Sequence, residues 1–374
     1  MTLWFSKDEF NSRLAQIQAA LLQRGLDGLV ALQPETITWT TGFYTRAYSS
    51  FQVAVIPAQG EPHLLCRDVS AYYVETTYAF SRSSFWSDGH DMREAALDVI
   101  ARTLGKKARI GIEADAWPLN INLHQFLAGG LKCAEWVNVG DITSRLRLIK
   151  SPAEIDYQRE AAAAAEAGMT AGVGAAMAGN SERDVAAAVC AALVKAGSDT
   201  PGPGVLSSGE RANHLHGGPT DRHLAHGDTL QLEPTPHVRH YNARFMRTIK
   251  IGAASDRDRE IADLLIELQD NALAAVAPGV AATVPDRLYR EAILGSGLVR
   301  SYTNKTFYSI GLMMSPTGAE PLEVTPESDW CFEVGMTFHS YLLVAGFGFS
   351  ETLVVTLGGF ERLTNYPRAL IVSG

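Results

Sequence analysis

Histidines are concentrated in one stretch of this 374-residue chain. Six of the ten lie between His214 and His240, and such a cluster can bind a metal ion or transfer protons. His214 and His216 would face the same side if they lay on a strand. The sequence contains no H-E-x-x-H motif, so the spacing alone is weak support for a metal site. We expect three other members to lie on loops or at the surface: His223, His226 and His237.

His216 differs from its neighbours because Gly217-Gly218-Pro219 follows it directly. Glycines beside a polar residue allow the backbone or a ligand to approach closely. Near neutral pH an imidazole can act as either a general acid or a general base. His216 is therefore a candidate for proton transfer.

Two carboxylates end apolar runs and are candidates for the same site. Glu233 closes the run 229–233, and Glu351 closes the run 347–351. A glutamate that points into a core is costly unless it is paired or used chemically. The structural alternative is that Glu233 lies solvated at a strand end or pairs with Arg244 or Arg247, and the sequence leaves both interpretations open.

Charge and composition exclude several classes of protein. The chain has 32 Lys and Arg against 41 Asp and Glu, and 32 − 41 gives a net charge of −9 with neutral histidines. That balance argues against non-specific binding to nucleic acid or anionic membranes and favours a small-molecule partner. The four cysteines form no C-x-x-C pair, which predicts reduced thiols in the cytoplasm. Neither a signal peptide nor a membrane span is predicted.

The first half of the chain alternates predicted strands and helices. Ser6 and Glu9 form a capping box before a helix that ends at Gly25, and a second helix is predicted over 92–104. Short apolar runs between them predict strands. The runs are 29–32, 37–41, 53–56, 63–66 and 109–112. This pattern is typical of an α/β domain, which we assign to residues 1–148.

The second half is predicted to be α+β. Ser151 opens a second capping box with Pro152 at the first helical position. The helix runs to about residue 177, and others are predicted from Ser181 to about 196, from Ser255 to about 276, and over 286–294. The predicted strands are 229–233, 241–251, 306–313, 336–344 and 349–356. We assign this second domain to residues 149–374.

These motifs together resemble the creatinase, aminopeptidase P and methionine aminopeptidase family, whose catalytic domain has the pita-bread fold. The resemblance covers nearly the whole chain. The family phrase with a central His, then Pro-[Ser/Thr]-Asp-Arg and Gly-Asp, is matched by His216 to Arg222 and by Gly227-Asp228. Further matches are Arg247-Thr248, Gly335-Met336 and the helix start at Lys150-Ser151-Pro152. The resemblance implies an α/β N-terminal domain like that of creatinase, followed by an α+β pita-bread catalytic domain.

The positions that hold metal ions in the family's peptidases differ in this chain. The resemblance implies two ions held by two Asp, one His and two Glu. Position by position these ligands fall on Glu233, Arg244, Tyr308, Tyr341 and Ser350. Two dications need several deprotonated ligands, and an arginine repels them. We therefore expect no metal and no cofactor.

The family has metal-free branches, which include creatinase and ectoine hydrolase, and this sequence resembles the ectoine hydrolase group. The phrases that resemble the ectoine hydrolase group include Tyr308-Ser309-Ile310-Gly311 and Thr337-Phe338-His339. This resemblance implies hydrolysis of a C–N bond in a small amidine, cyclic amide or guanidino acid. His216, Glu233 and Glu351 are then the expected catalytic residues. Tyr308, His339 and Arg244 are expected to contact the substrate.

A loop of the N-terminal domain is implicated by the same resemblance. In dimers of the family, the loop that corresponds to residues 41–48 leans over the active site of the partner. The resemblance thus implies a homodimer, in which Arg46 and Tyr48 would contact the substrate. Arg46 could bind a carboxylate through two parallel hydrogen bonds, although a solvated loop arginine is an equally good interpretation.

Two other functions remain open from the sequence. One is a conventional metal-dependent Xaa-Pro dipeptidase or aminopeptidase. The other is an inactive homologue that keeps the pocket and binds a ligand. Retention of His216, Glu233 and Glu351 together favours an enzyme over the inactive homologue.

Overall fold

The computed structural model describes residues 3–374. The chain forms two compact units, residues 1–147 and 148–374. Met1 and Thr2, which belong to the predicted N-terminal domain, lie outside the described residues. None of the helices described between residues 3 and 374 is long and apolar enough to cross a membrane.

The N-terminal unit is an α/β domain, as its sequence predicts. Its helices are α1 Lys7–Gln23, α2 Pro34–Thr41, α3 Ala71–Thr77, α4 Met92–Leu104, α5 Ile121–Gly130 and α6 Asp141–Leu146. Its strands are β1 Gly28–Ala31, β2 Val53–Pro57, β3 His63–Arg67, β4 Arg82–Trp86, β5 Arg109–Ile112 and β6 Glu135–Asn138.

One mixed sheet organises this unit, with the strand order β4-β3-β2-β1-β5-β6. β1 runs parallel to β5 and antiparallel to β2. Every residue of β1 and β2 is buried, as expected of strands covered on both faces. Val30, Val55 and Ile110 pack with Val99 of α4 and Leu127 of α5, which places the core between the sheet and these helices.

The predicted strand over residues 37–41 is wrong, because these residues belong to helix α2. Pro34 lies in the first turn, where its missing N–H costs no hydrogen bond. Gly42 ends the helix in the left-handed conformation, with φ of 76°. All eight residues of α2 are buried. The helix therefore has no exposed face, and its sequence lacks the apolar–polar period by which a surface helix is recognised.

The second unit combines helix pairs with antiparallel sheets. Its helices are α7 Pro152–Ala175, α8 Glu182–Lys195, α9 Asp256–Leu273 and α10 Thr283–Gly295. The strands are β7 Val205–Ser208, β8 Thr229–Glu233, β9 His237–Val238, β10 Tyr241–Asn242, β11 Arg247–Ile251, β12 Phe307–Ser309, β13 Glu323–Val324, β14 Thr337–Val344, β15 Phe347–Thr356, β16 Gly359–Arg362 and β17 Ile371–Ser373. The capping box predicted at Ser151 is confirmed, and Ser181 and Ser255, each predicted to begin a helix, form capping boxes as well.

Each helix pair covers one sheet of this unit. α7 and α8 pack on a four-stranded sheet with the order β17-β11-β8-β7, through residues such as Met169 and Leu232. α9 and α10 pack on a five-stranded sheet with the order β13-β12-β14-β15-β16, through Leu265, Tyr289 and Phe338. Since side chains alternate along a strand, the neighbours of these core residues point to the opposite face of each sheet. The candidate site lies there.

The predicted strand 241–251 is interrupted in the structure. β10 forms a tight hairpin with β9, and the turn residues Arg239 and His240 have φ of 51° and 61°. After β10 the backbone of Arg244 bonds to the side chain of Thr352 rather than to a neighbouring strand. The segment 243–246 is therefore irregular, and it turns Arg244 toward β12. The predicted strand 306–313 is likewise shorter, because β12 spans Phe307–Ser309 and Leu312 makes an isolated bridge to Tyr241.

Candidate functional site

Glu233 ends strand β8 on the face away from the helices. Leu230 and Leu232 of the same strand pack into the core, so Glu233 follows on the other face. Val205 of β7 lies opposite it in the sheet. Gly204 precedes Val205 with φ of 75°, and a Cβ there would lie 1.8 Å from the carbonyl oxygen of Glu233. Only glycine fits at 204, and this residue allows the backbones of the two strands to approach closely at Glu233.

The carboxyl group of Glu233 is buried and its acidity is altered. The residue is 5% exposed. Burial raises the pKa of Glu233 to about 7, although the positive charge of Arg244 acts in the opposite direction. A carboxyl group with this pKa exchanges a proton near neutral pH, which suits a general acid or base.

Tyr308, His339 and Tyr341 lie beside Glu233 on the inner face of the five-stranded sheet. Tyr308 of β12 is paired with His339 of β14, and its hydroxyl lies 2.8 Å from His339 Nδ1. The Tyr341 ring stacks on the His339 ring with centroids 5.5 Å apart. His339 Nε2 is 3.3 Å from Glu233 Oε1. The structure thus brings the predicted residues Glu233, Tyr308 and His339 into one cluster.

Arg244 reaches this cluster from the irregular segment after β10. Its Nη1 donates to the Tyr308 hydroxyl at 3.0 Å, and its Nε donates to Asn242 Oδ1 at 2.8 Å. Within residues 3–374 the guanidinium makes no ion pair, and its Nη2 has no hydrogen-bond acceptor. Other buried or half-buried arginines do pair with carboxylates: Arg222, Arg247, Arg290 and Arg368.

The residues at the family's five metal positions do not suit two metal ions. Glu233, Arg244, Tyr308 and Tyr341 cluster around one point, and Ser350 lies opposite Tyr341 in the sheet. Glu233 is the single carboxylate of the five, and burial raises the pKa of the Tyr308 phenol to about 12. Ser350 Oγ already accepts a hydrogen bond from the backbone N–H of Met246 at 2.5 Å. In the described chain, no three His, Cys, Asp or Glu residues converge on a possible metal position.

Glu351 does not join this cluster, contrary to the expectation from sequence. It lies opposite Ser340 on the other face of the sheet from His339. Arg247 donates to its Oε1 at 2.8 Å, and both side chains are fully buried. The pKa of Glu351 is raised by burial, against the opposing effect of Arg247. The carboxylate is held by a buried arginine and faces away from the cluster, so the catalytic role of Glu351 stays a prediction that this placement does not support.

His216 lies on an exposed loop between β7 and β8 rather than on a strand. The adjacent Gly217 accepts a hydrogen bond from the backbone of Leu206, which lies opposite Leu232 in the sheet. The loop is therefore anchored about two strand spacings, roughly 10 Å, from the strand that carries Glu233. His216 has φ of 66°. Non-glycine residues rarely adopt this conformation, which is enriched at functional sites.

Arg46 and Tyr48 belong to the N-terminal unit. Arg46 is exposed, and Tyr48 lines an open cleft of about 960 Å³ in that unit, together with Phe51, Trp86 and Trp117. Their predicted contact with a substrate remains a prediction.

Three residues of the cluster were not predicted from sequence. Asn242 and Thr352 hold the side chain and backbone of Arg244. His237, expected at the surface, is partly buried, and burial with the nearby positive charge of Arg244 lowers its pKa to about 3. Asn242 stands two residues before Arg244, a spacing that places two strand residues on one face. The role of Thr352 depends on a contact between segments 108 residues apart and leaves no local signal.

Comparison with known proteins agrees with this architecture. Residues 156–356 match metallopeptidase family M24, and residues 13–149 match the creatinase/prolidase N-terminal domain. An uncharacterised hydrolase/peptidase of Sinorhizobium fredii, y4tM, is 27% identical over 389 residues, which cover 99% of each chain. The ectoine hydrolase of Halomonas elongata is 24% identical over 397 residues, covering 100% of this chain and 99% of that protein.

A solved structure shows the same fold over almost the whole length. The dipeptidase PepE of Mycobacterium ulcerans superposes with a TM-score of 0.84 at 25% identity, covering 98% of this chain and 99% of that one. The expected combination of an α/β N-terminal domain with a pita-bread domain is confirmed. The chain therefore belongs to metallopeptidase family M24, a family of hydrolases and peptidases, and joins its pita-bread catalytic domain to a creatinase/prolidase N-terminal domain.

Proposed function

We propose that this protein is a metal-independent hydrolase that cleaves a C–N bond in a small amidine, cyclic amide or guanidino acid. The observation that carries the proposal is Arg244, a cation without an ion-pair partner in residues 3–374, at the centre of the family's metal positions. A second cation beside it would be repelled by several kilocalories per mole at short range. The chemistry must then come from Glu233 and the neutral side chains around it.

The substrate class follows from the charges of this cluster. An amidine or guanidine carbon is already activated by its positive charge, so a Lewis acid is less necessary. A carboxylate can orient such a cation through charge-assisted hydrogen bonds, and Glu233 is the carboxylate in place. The free Nη2 edge of Arg244 suits a substrate carboxylate. A substrate that carries both a cation and a carboxylate, such as a guanidino acid, complements Glu233 and Arg244 better than a simple cation does.

The reaction requires a water molecule and two proton transfers. Glu233 in its ionised form accepts a proton from water while the water oxygen forms a bond to the amidine or amide carbon. The C–N bond then breaks, and the leaving nitrogen takes up a proton. His216 is the proposed donor of that proton, or the base in place of Glu233, because an imidazole serves either role near neutral pH. The products are an amine and the corresponding carbonyl compound.

A metal-dependent dipeptidase is the second candidate, favoured by relatives that are named as dipeptidases. The M. ulcerans structure is a dipeptidase, and the Xaa-Pro dipeptidase of Pyrococcus furiosus is 27% identical over 63% of this chain. Those relatives support peptidase activity in the family as a whole. The residues at positions 244, 308, 341 and 350 are the argument against that activity in this chain.

The two candidates are separated by a substrate panel assayed with and without a chelator. The panel contains ectoine, hydroxyectoine, creatine, hydantoin-type amides and Xaa-Pro dipeptides. We expect turnover of a non-peptide C–N substrate that is unchanged by chelator. Dipeptide cleavage lost on chelation would replace the proposal with the peptidase, and ligand binding without any product would indicate an inactive homologue.

A further inference from the structure

Arg244, Tyr308 and His339 form a hydrogen-bonded line, and its last member faces Glu233. Arg244 Nη1 lies 3.0 Å from the Tyr308 hydroxyl, and that hydroxyl lies 2.8 Å from His339 Nδ1. His339 Nε2 faces Glu233 Oε1 at 3.3 Å. The ring of His339 is held in place between Tyr341, which stacks on it, and Tyr308, which meets it edge-on.

The hydrogen bonds in this line have a direction. A guanidinium has donors only, so the Tyr308 oxygen must accept from Arg244. The phenolic hydrogen is then directed to His339 Nδ1, which must accept it. The His339 ring is 1% exposed, and burial together with Arg244 lowers its pKa well below the ordinary value. A neutral imidazole that accepts at Nδ1 carries its proton on Nε2.

Donor and acceptor therefore meet at one point. His339 Nε2 presents an N–H and Glu233 Oε1 presents a lone pair, and neither atom makes a hydrogen bond within the described chain. Buried polar atoms without partners are uncommon and call for an explanation. A small group that accepts one hydrogen bond and donates another would satisfy both atoms, and a water molecule does this.

We propose that His339 is a further catalytic residue, held as the Nε2–H tautomer by Tyr308 and Arg244, which orients the attacking water against Glu233. The inference rests on the proposed function. The water oxygen accepts from Nε2–H and donates one proton to Glu233 as it bonds to the carbon. His216, the donor proposed above, protonates the leaving nitrogen as the C–N bond breaks, and afterwards Glu233 releases its proton to bulk water and His216 takes one up. His339 itself keeps its proton throughout. Tyr308 and Arg244 act as positioning residues.

The tautomer can be measured without any turnover. In protein labelled with ¹⁵N-histidine, the His339 signals are assigned by their loss in His339→Gln. We expect the nitrogen shifts of an Nε2–H tautomer in the wild type and a mixture of tautomers in Tyr308→Phe. Tyr302→Phe is the matched control, because the Tyr302 hydroxyl is buried without a hydrogen-bond partner in the described residues. An Nδ1–H tautomer or an imidazolium in the wild type would overturn the inference.

Kinetics test the catalytic role separately. Tyr308→Phe is expected to lower kcat about tenfold or more with little change in KM. It removes the hydroxyl that holds His339 as the Nε2–H tautomer and leaves the aromatic ring at position 308 in place. His339→Gln keeps an amide N–H near the position of Nε2, so it should retain more activity than His339→Leu. Equal activity in these two variants, or wild-type kcat in Tyr308→Phe, would contradict the role. If no substrate of the panel is turned over while the Nε2–H signal is present, the proposed function fails and the tautomer assignment stands.

Discussion

Glu233 Oε1 and His339 Nε2 approach within 3.3 Å across two sheets of the catalytic domain, and both side chains are almost completely buried. Glu233 comes from the sheet under α7 and α8, and His339 comes from the sheet under α9 and α10. This approach places a carboxyl group with a pKa of about 7 beside a neutral imidazole. The first prediction follows from it.

Activity should depend on the ionisation of Glu233. As a base it must be ionised, so kcat/KM should rise with pH up to about 7. The groups that face it are the Arg244 guanidinium, His339, whose pKa burial lowers well below its ordinary value, and the phenols Tyr308 and Tyr341, whose pKa values burial raises. Glu233→Gln should lower kcat by about 10² to 10⁴ and remove this rise, as a pH–rate profile would show. An unchanged profile in Glu233→Gln would assign the proton transfer to another group.

The same carboxyl group should make stability depend on pH. Its pKa in the folded chain, about 7, lies above the ordinary value of 4.5. Between these values the folded state holds a proton that the unfolded state has lost, so stability falls as pH rises. The total is on the order of 3 kcal/mol. Urea unfolding measures the free energy of unfolding at pH 5 and pH 8. Relative to the wild type, Glu233→Gln should be more stable at pH 8 than at pH 5.

Glu351 should be needed for folding rather than for chemistry. Glu351→Gln leaves Arg247 buried without its carboxylate partner, and breaking such a pair costs about 3 to 5 kcal/mol. Arg368 Nε, 3.2 Å from the same oxygen, loses one of its two carboxylate partners and keeps Asp270. Denaturant unfolding measures the loss, and the folded fraction should keep KM and kcat near the wild-type values. Full stability with lost turnover would restore Glu351 to the reaction.

The close approach of Gly204 to Glu233 gives a prediction about backbone fit. Gly204→Ala would place a methyl group 1.8 Å from the Glu233 carbonyl oxygen at φ of 75°, so it should destabilise the fold by a few kcal/mol and lower activity. Gly202→Ala is the matched control, because nothing lies within 4 Å of a Cβ there. Thermal unfolding compares them, and equal melting temperatures would mean that β7 can move away without cost.

His216 should be required for turnover without being required for folding. As the proposed proton donor it is needed for the reaction, so His216→Ala should abolish product formation. Because it lies on an exposed loop, the same substitution should leave the melting temperature within about a degree or two. His214→Ala, on the same exposed loop, should remain active. Wild-type activity in His216→Ala would remove this residue from the mechanism.

Local sequence signals predicted some parts of this site well. Glu233 was found because a carboxylate ends an apolar run. The capping box at Ser151 and the helix start at Ser181 placed their helices correctly. The pocket residues Tyr308 and His339 followed from the resemblance of their strands to the family. Such features need only neighbouring residues to be recognised.

Other parts depend on pairing between distant segments. Ser350 and Glu351 are adjacent, and a register change of one residue exchanges the faces they occupy. The pairing of β14 with β15 decides that Glu351 meets Arg247. The contact between Arg244 and Tyr308 likewise joins segments 64 residues apart. It depends on an irregular bend for which the sequence of residues 241–251 gives no signal.

The central claim is that cationic Arg244 excludes paired dications from the catalytic domain. Its most direct test is the divalent metal content of the purified protein, measured by mass spectrometry after dialysis against Mn²⁺, Co²⁺ or Zn²⁺ and removal of free ions. We predict far less than one ion per chain. Two ions per chain, removed together with activity by a chelator, would contradict the account.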